Sequence, residues 1–477
     1  MEELKRQEHV AVKLSRRLKL GYGLGSTGEQ LAYNVFYIYF MMFLTDVVGI
    51  GPASAGLISL MAVVWDGITD PIIGYLSDNS KNPKGRRSPM MLYASIPLGI
   101  LTFALFTKVN LSESYAIIYY LGINMLFWLF FTMVDIPYLS LGGELTNDFN
   151  ERTELRGYAA VFFNLGVLIA SSGFIIFVDI FMKMTGDTAK SWSYAAMVVA
   201  GIIIMSFIIT YLSVNKHEPK NKLMTRDKFS VKKIVESYQS VLKIKSYRFI
   251  AFTTLFFIIA YSFSTSNAMY FMTYYAKLTP GAIALAFIII SISAAAMSAF
   301  VSLLAKRFDK KGVYLTGILI FSLGVFLFRY LDVSNPMMIY VYFLFMGVGS
   351  SAFWTLIYAM SYDVSEVEEY KTGLKKQGAI VAFMSFFVKL GTALAMWWIG
   401  VYLQKIGYDP TLLNQSDQTV KGILDLQTIY PAVFGLLAFL AMLKYPITRQ
   451  AFDKLNVALE LKKQGKAHSE EDFKHLL

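Results

Sequence analysis

The sequence predicts an all-α membrane protein of twelve transmembrane helices in two six-span halves. Three observations predict it. Hydrophobic residues make up 56% of the 477 residues and charged residues only 16%, outside ordinary globular usage. The charges fall in short islands, and the apolar stretches between them have the length, roughly 20 residues, that crosses a bilayer. Basic islands alternate with nearly bare loops, the pattern of a polytopic chain whose basic loops are cytoplasmic.

The spans lie near 20–47, 53–78, 89–109, 114–143, 153–183, 191–214, 247–275, 280–304, 312–331, 336–363, 374–403 and 428–446. The segment before span 1 carries Lys5, Arg6, Lys13, Arg16, Arg17 and Lys19 and has no cleavable signal pattern. The loop after span 2 carries Lys81, Lys84, Arg86 and Arg87. The loop after span 8 carries Lys306, Arg307, Lys310 and Lys311, and that after span 10 carries Lys371, Lys375 and Lys376. Loops on the other side hold little more than residues such as Lys108 and Lys277. Both termini are therefore expected in the cytoplasm. The net charge of +11 is accounted for by this topology, not by a nucleic-acid surface.

The expected organisation is a cytoplasmic N-terminal segment 1–19, a six-helix bundle 20–214, a cytoplasmic central loop 215–246, a second six-helix bundle 247–446 and a cytoplasmic tail 447–477. An internal repeat supports the division: "FFNLG" (162–166) and "FFVKLG" (386–391) each follow a loop of mixed charge that opens a long helix. Such paired halves are the plan of many secondary transporters, with the binding site near the bilayer midplane. "KFSVKKIVESYQSVLKIK" in the central loop and "RQAFDKLNVALELKKQGK" in the tail read as basic amphipathic helices lying on the membrane surface.

There is no cysteine, which excludes disulfides and thiolate chemistry. His9, His217, His468 and His475 fall in the ends or the central loop, which argues against a histidine proton relay inside the membrane. No cofactor is expected beyond Na⁺ or H⁺ as a coupling ion.

Ionisable residues within spans cost roughly 2.5–3.5 kcal/mol each and need partners or water. Asp66 and Asp70 lie four residues apart on one face of span 2, within "WDGITDPIIGYLSD". Two adjacent carboxylates in low dielectric must share a proton or hold a cation. Sodium suits oxygen ligands, and Thr132 of span 4 offers a hydroxyl one turn before Asp135. Asp66, Asp70 and Thr132 are the candidate cation site, and with Na⁺ the two aspartates are its metal ligands. Lys389 lies in an apolar run of span 11, 13 residues past Lys376. That is ~20 Å along a helix, too deep for comfortable snorkelling, so it needs a carboxylate partner. The first-half aspartates are the obvious pool. Trp354 follows the small-residue run "GVGSSAF", and its ring suits the apolar face of a sugar. The turn at Lys84–Arg87 can form an ionic latch, with Arg86 and Arg87 meeting Glu144 or Asp363 as a cytoplasmic gate.

These motifs resemble a known family. "YGLGSTGEQLAYNVFYIYFMMFLTDVVGI", "WDGITDPIIGYLSD" followed by "KGRR", "MVDIPYLSL" and "YDVSEVEEYKTGLKKQGAIVAFMSFFVKLG" are similar to the melibiose permease-like glycoside–pentoside–hexuronide:cation symporters of the major facilitator superfamily. The resemblance runs from about Leu20 to Tyr445. It implies two six-helix bundles of major facilitator type. It matches Asp66, Asp70 and Thr132 to the family's cation ligands, Asp135 and Trp354 to its sugar site, and Lys389 to a coupling lysine near the cation. Gln30, Tyr37 and Ser385 complete the candidate substrate-binding set. Departures are confined to the sugar side. Gln30 stands where the melibiose-carrying member has an aspartate, Leu139 where it has a tryptophan and Val63 where it has an arginine. Ala159 stands where many relatives have an arginine. Glu29 is next to Gln30 but would reach the same space only if the helix rotated.

The expected function is cation-coupled symport of a sugar, glycoside or uronide by alternating access. The chain is expected to be a monomer in a bacterial inner membrane, with a small-molecule substrate, membrane lipid around it and no nucleic-acid partner. Two other readings stay open: a cation-coupled carrier of a lysolipid or other amphiphile, and a non-transporting membrane sensor or enzyme.

Overall fold

The computed structural model describes residues 13–80, 82–146, 148–218, 230–331, 335–373, 377–412, 414–464, 466 and 469–476. Lys5, Arg6, His9, Lys81, Lys375, Lys376 and His468 lie outside the described residues. All regular structure among the described residues is helical. Among the described residues twelve helices are long and apolar enough to cross a membrane. They are span 1 Arg16–Val48, span 2 Pro52–Asp78, span 3 Ser88–Leu105, span 4 Glu113–Glu144, span 5 Glu151–Thr185 and span 6 Thr188–Val214. The others are span 7 Lys245–Tyr275, span 8 Pro280–Arg307, span 9 Lys310–Leu327, span 10 Pro336–Thr372, span 11 Ala379–Lys405 and span 12 Asp417–Leu443. Span 1 begins, and span 12 ends, on what is called here the proximal side; the opposite side is distal.

Local signals set the helix ends. The side chains of Asp148, Asp187, Thr279, Asp309, Asn335 and Ser416 each accept a hydrogen bond from a backbone N–H in the first turn that follows. Span 1 ends in a π-helical turn, Phe43–Val48, closed by Gly49 at φ 93°. Span 7 ends in another, Phe271–Tyr275, whose Phe271 carbonyl accepts from Ala276 N at 2.9 Å. Such turns shift the register of a helix face and recur at functional positions.

The chain forms two compact units, and neither coincides with a chain half. The first comprises Met1–Phe36, Ile68–Lys108 and Gly122–Lys228. The second comprises Tyr37–Gly67, Val109–Leu121 and Phe229–Leu477. The distal parts of spans 1 and 2 and the start of span 4 thus group with the last six spans, not with the bundle 20–214.

The first unit is tied by hydroxyls bonded to main chain inside apolar packing. Tyr138 Oη donates to the Tyr22 carbonyl (2.9 Å), Thr210 Oγ1 to that of Gly21 (2.8 Å) and Thr27 Oγ1 to that of Phe162 (2.9 Å). Trp128 is buried with Phe36 edge-on at 5.1 Å. In the second unit, span 10 packs against spans 8 and 9, and span 7 against spans 11 and 12. Gln427 is wholly buried there, donating to the Ser264 carbonyl (2.9 Å) and accepting from Asn267 Nδ2 (2.9 Å). Spans 2 and 11 meet at two glycines, Gly56 and Gly400, and a Cβ on Gly400 would collide with the Pro52 carbonyl oxygen. Only the absence of a side chain permits that approach.

The two extramembrane helices correct an expectation. The tail helix Arg449–Lys463 does form, but it packs on protein: Ala451, Leu455, Ala458 and Leu459 are buried. Lys463 pairs with Glu369 (2.7 Å) and Lys462 Nζ donates to the Tyr370 carbonyl (2.7 Å), both on span 10. The central helix Val231–Leu242 packs on span 11, with Tyr238 stacked on Phe383 at 4.5 Å. An amphipathic pattern states that one face is covered; here protein covers it.

Candidate functional site

Asp66 and Asp70 stand one turn apart in the middle of span 2, beside Pro71. In the second unit, Asp66 is 0% exposed and its Oδ2 lies 2.5 Å from Nζ of Lys389, which is 17% exposed. A lysine inside an apolar helix thus meets a buried carboxylate, as the charge arithmetic of the two helices requires. In the first unit, Thr132 Oγ1 donates to Asp70 Oδ1 at 3.2 Å, and Thr132 is buried. The expected cation and coupling residues therefore form two described sets: Asp66 with Lys389, and Asp70 with Thr132. Among the described residues no three His, Cys, Asp or Glu side chains cluster as they would around a transition metal.

The candidate substrate residues also divide. In the first unit, Gln30 Nε2 donates to Glu29 Oε1 (2.7 Å), and Gln30 Oε1 accepts from Asn34 Nδ2 (3.1 Å). Gln30 thereby reaches Glu29 without any rotation of the helix, because its long side chain spans the angle between neighbouring positions. Glu29 is in electrostatic reach of Asp135 and of Arg156, whose Nη2 donates to the Leu139 carbonyl at 3.2 Å. Sequence reasoning named Glu29 but left it out of the site; its acidic side chain within a span was the signal.

In the second unit, Trp354 is 40% exposed and stands edge-on to Tyr261 at 5.8 Å. Tyr37 is buried, and its carbonyl accepts from Ser266 Oγ at 3.4 Å. Ser385 Oγ donates to the Val381 carbonyl of its own helix at 3.3 Å.

The proposed cytoplasmic gate set is split as well. In the first unit Arg87 Nη2 bonds Glu144 (3.0 Å) and Asp78 (2.8 Å), and Arg86 pairs with the same Glu144. Glu218, which sequence reasoning did not single out, accepts from the backbone N–H of Arg87 (2.6 Å) and Ser88 (3.1 Å). Asp363 belongs to the second unit, where both its oxygens accept from Lys310 (2.7 and 2.8 Å). The two halves thus carry similar devices: a basic residue between the second span of the half and the start of the third, bonded to an acid late in the fourth.

A family model described as MFS/sugar transport protein matches residues 21–449. The chain belongs to that family. It is a membrane transporter of the major facilitator type, and not an enzyme. A putative sulfoquinovose importer of Escherichia coli (strain K12) is 27% identical over 91% of each chain. The inner membrane symporter YicJ of the same organism is 25% identical, covering 96% of this chain and 97% of its own. A putative 2,3-dihydroxypropane-1-sulfonate exporter, also from that organism, is 24% identical over 97% of this chain and all of its own. Among solved structures, the nucleoside transporter NupG superposes with a TM-score of 0.63 at 14% identity, covering 90% of this chain and 99% of its own. A D-xylose–proton symporter superposes with a TM-score of 0.60 at 16% identity, covering 90% of this chain and 97% of its own. At such identities the likeness is one of fold.

Proposed function

We propose that this transporter carries a neutral sugar or glycoside together with Na⁺ or H⁺ by alternating access, with its termini in the cytoplasm. One observation carries the cation coupling: the Asp70–Thr132 contact of 3.2 Å within apolar spans. A carboxylate and a hydroxyl oxygen are the donor types an alkali cation takes, and the carboxylate alone serves a proton. Asp66, one turn earlier on the same helix, already attracts Lys389. A cation arriving on span 2 competes with Lys389 for carboxylate charge. Loading therefore weakens the hold of span 2 on span 11, and that difference couples cation binding to a change of state.

The substrate reading rests on the first unit. Glu29, Gln30, Asn34 and Asp135 supply carboxylate and amide groups, which suit the hydroxyls of a polyol. Two of the relatives named above are called carriers of sulfonated compounds. Two acidic side chains, Glu29 and Asp135, stand against one cation in their reach, Arg156, so this set offers an anionic group such as a sulfonate few favourable contacts. These features favour a neutral substrate over an anionic one.

The test is uptake of labelled glycosides into proteoliposomes under a sodium gradient, a proton gradient or neither. The expected result is gradient-driven accumulation of a neutral glycoside, lost in Asp70→Asn. Uptake indifferent to both gradients would sink the coupling, and uptake restricted to sulfonated or uronic substrates would sink the neutral reading.

A further inference from the structure

A further carboxylate, partly buried among hydroxyls, lies far from these residues in sequence, at the distal end of span 1. Asp46 sits in the π-helical turn Phe43–Val48. Its carboxylate accepts from three hydroxyls: Tyr274 Oη at 2.8 Å, Tyr408 Oη at 2.6 Å and Thr45 Oγ1 at 2.6 Å. Thr45, wholly buried, is also bonded to Tyr270 Oη at 2.8 Å. The rings of Tyr270 and Tyr274 each meet Tyr408 edge-on at 5.4 Å. Burial, and then the charge of Asp46, hold the Tyr408 phenol far above its ordinary range, so it stays a donor.

All five residues belong to the second unit. They come from span 1, from the distal end of span 7 and from the loop between spans 11 and 12. Nearby, Ala53 N donates to Gln404 Oε1 (3.2 Å), and Gly56 and Gly400 allow spans 2 and 11 their close crossing. The proximal part of span 1, by contrast, is bonded within the first unit through Gly21, Tyr22 and Thr27. Span 1 is therefore held by different partners at its two ends.

A permanent anchor at this position is better made from apolar side chains, which avoid desolvating a carboxylate. A carboxylate ringed by hydroxyls has the opposite property. It is strong while dry, and each group finds water as soon as the cluster opens toward the distal surface. We propose that Asp46, Tyr274 and Tyr408 form a distal latch that fastens the end of span 1 to span 7 and to the loop before span 12, and that its release frees span 1 from the last six spans. Transport needs this fastening to break once per cycle on the distal side.

The absence of native cysteine makes labelling a direct test. Ser266 is buried and bonded to the Tyr37 carbonyl of span 1 (3.4 Å), so Ser266→Cys reports the distal closure. Ser322→Cys, buried in span 9, reports unfolding. A membrane-impermeant maleimide is applied from the distal side to the full chain in oriented vesicles. The result expected is slow labelling of Ser266→Cys alone, and labelling about tenfold faster when Asp46→Asn or the pair Tyr274→Phe and Tyr408→Phe is added, as the loss of charge-assisted bonds implies. Ser322→Cys labelling should stay unchanged in the double phenylalanine variant, which removes only two hydroxyls. Unchanged Ser266→Cys labelling in that variant would overturn the latch. An equal rise at both reporters would overturn it too, since it would mark general loosening. The readout needs no knowledge of the substrate.

Discussion

Lys389 Nζ lies 2.5 Å from Oδ2 of Asp66, whose side chain is wholly buried. Removing one partner leaves an uncompensated charge inside the fold, at a cost of about 3–5 kcal/mol for a fully buried pair, and towards the lower end here because water reaches part of Lys389. Asp66→Asn and Lys389→Met should each lower the melting temperature strongly. The double variant should recover most of the loss. A thermal-melting double-mutant cycle measures this, and additive single effects would refute a direct pairing.

At Asp70, the expectation concerns ligand response. A cation bound only by the native state raises its stability by mass action. If sodium is the coupling ion, it should raise the melting temperature of the native chain, and Asp70→Asn should abolish the shift. Thr132→Val removes one oxygen from the pair and should weaken the sodium response about tenfold, the scale of one lost hydrogen bond or ligand oxygen. If sodium is silent and the sugar response follows pH, the proton is the ion.

How much of this was legible in the sequence depends on what each residue's neighbours permit. Asp66, Asp70 and Lys389 stood out because a charge in an apolar run has few alternatives. Asp46 did not, because it sits within one turn of the loop that begins at Gly49, where acidic residues are ordinary, and hydropathy carries no mark of a π-helical turn. Glu218 was hidden in a basic segment whose average charge masked it. The spans themselves were legible from length and polarity. The grouping of their distal parts was not, because it depends on close crossings such as Gly56 with Gly400, and glycine pairs so distant in sequence are not matched by any local pattern.

Glu144 holds both Arg86 and Arg87, and all three side chains are largely buried. Glu144→Gln keeps the shape and removes the charge. It should cost about 1–3 kcal/mol, the range for bonds to charged groups. Arg87→Lys keeps the charge but shortens the side chain that brings one nitrogen, Nη2, to both Glu144 and Asp78, so it should cost a similar amount. Denaturation of the two variants in detergent measures both effects, and a neutral Arg87→Lys would show that point charge alone suffices.

Asp409 gives a pH expectation beside the latch. The Thr411 hydroxyl (2.7 Å) and then its amide (2.9 Å) hold this exposed carboxylate below its ordinary range. A depressed carboxylate contributes stability that is present above the unfolded-state pKa and lost as pH falls through the lower folded value. The contribution should therefore be flat at neutral pH and disappear only below about pH 4. Thr411→Ala should therefore lower neutral melting slightly and flatten the acid-side slope, so that the two chains converge in acid. Melting curves across the acid range decide it; a slope unaltered by Thr411→Ala would place the titration elsewhere.

The tail helix separates two ways of covering an apolar face. Leu455 is wholly buried while Lys463, paired with Glu369, is 58% exposed. If the helix packs on span 10, Leu455→Ala removes core contacts and should destabilise by about 2–5 kcal/mol. Lys463→Ala should cost less than about 1 kcal/mol, because an exposed pair is screened by water and salt. If the helix instead lay on lipid, Leu455→Ala would hardly change melting in detergent but would weaken attachment to vesicles. The ratio of the two losses, measured on the full-length chain, therefore reports which surface the helix covers, and a loss at Lys463 equal to that at Leu455 fits neither arrangement.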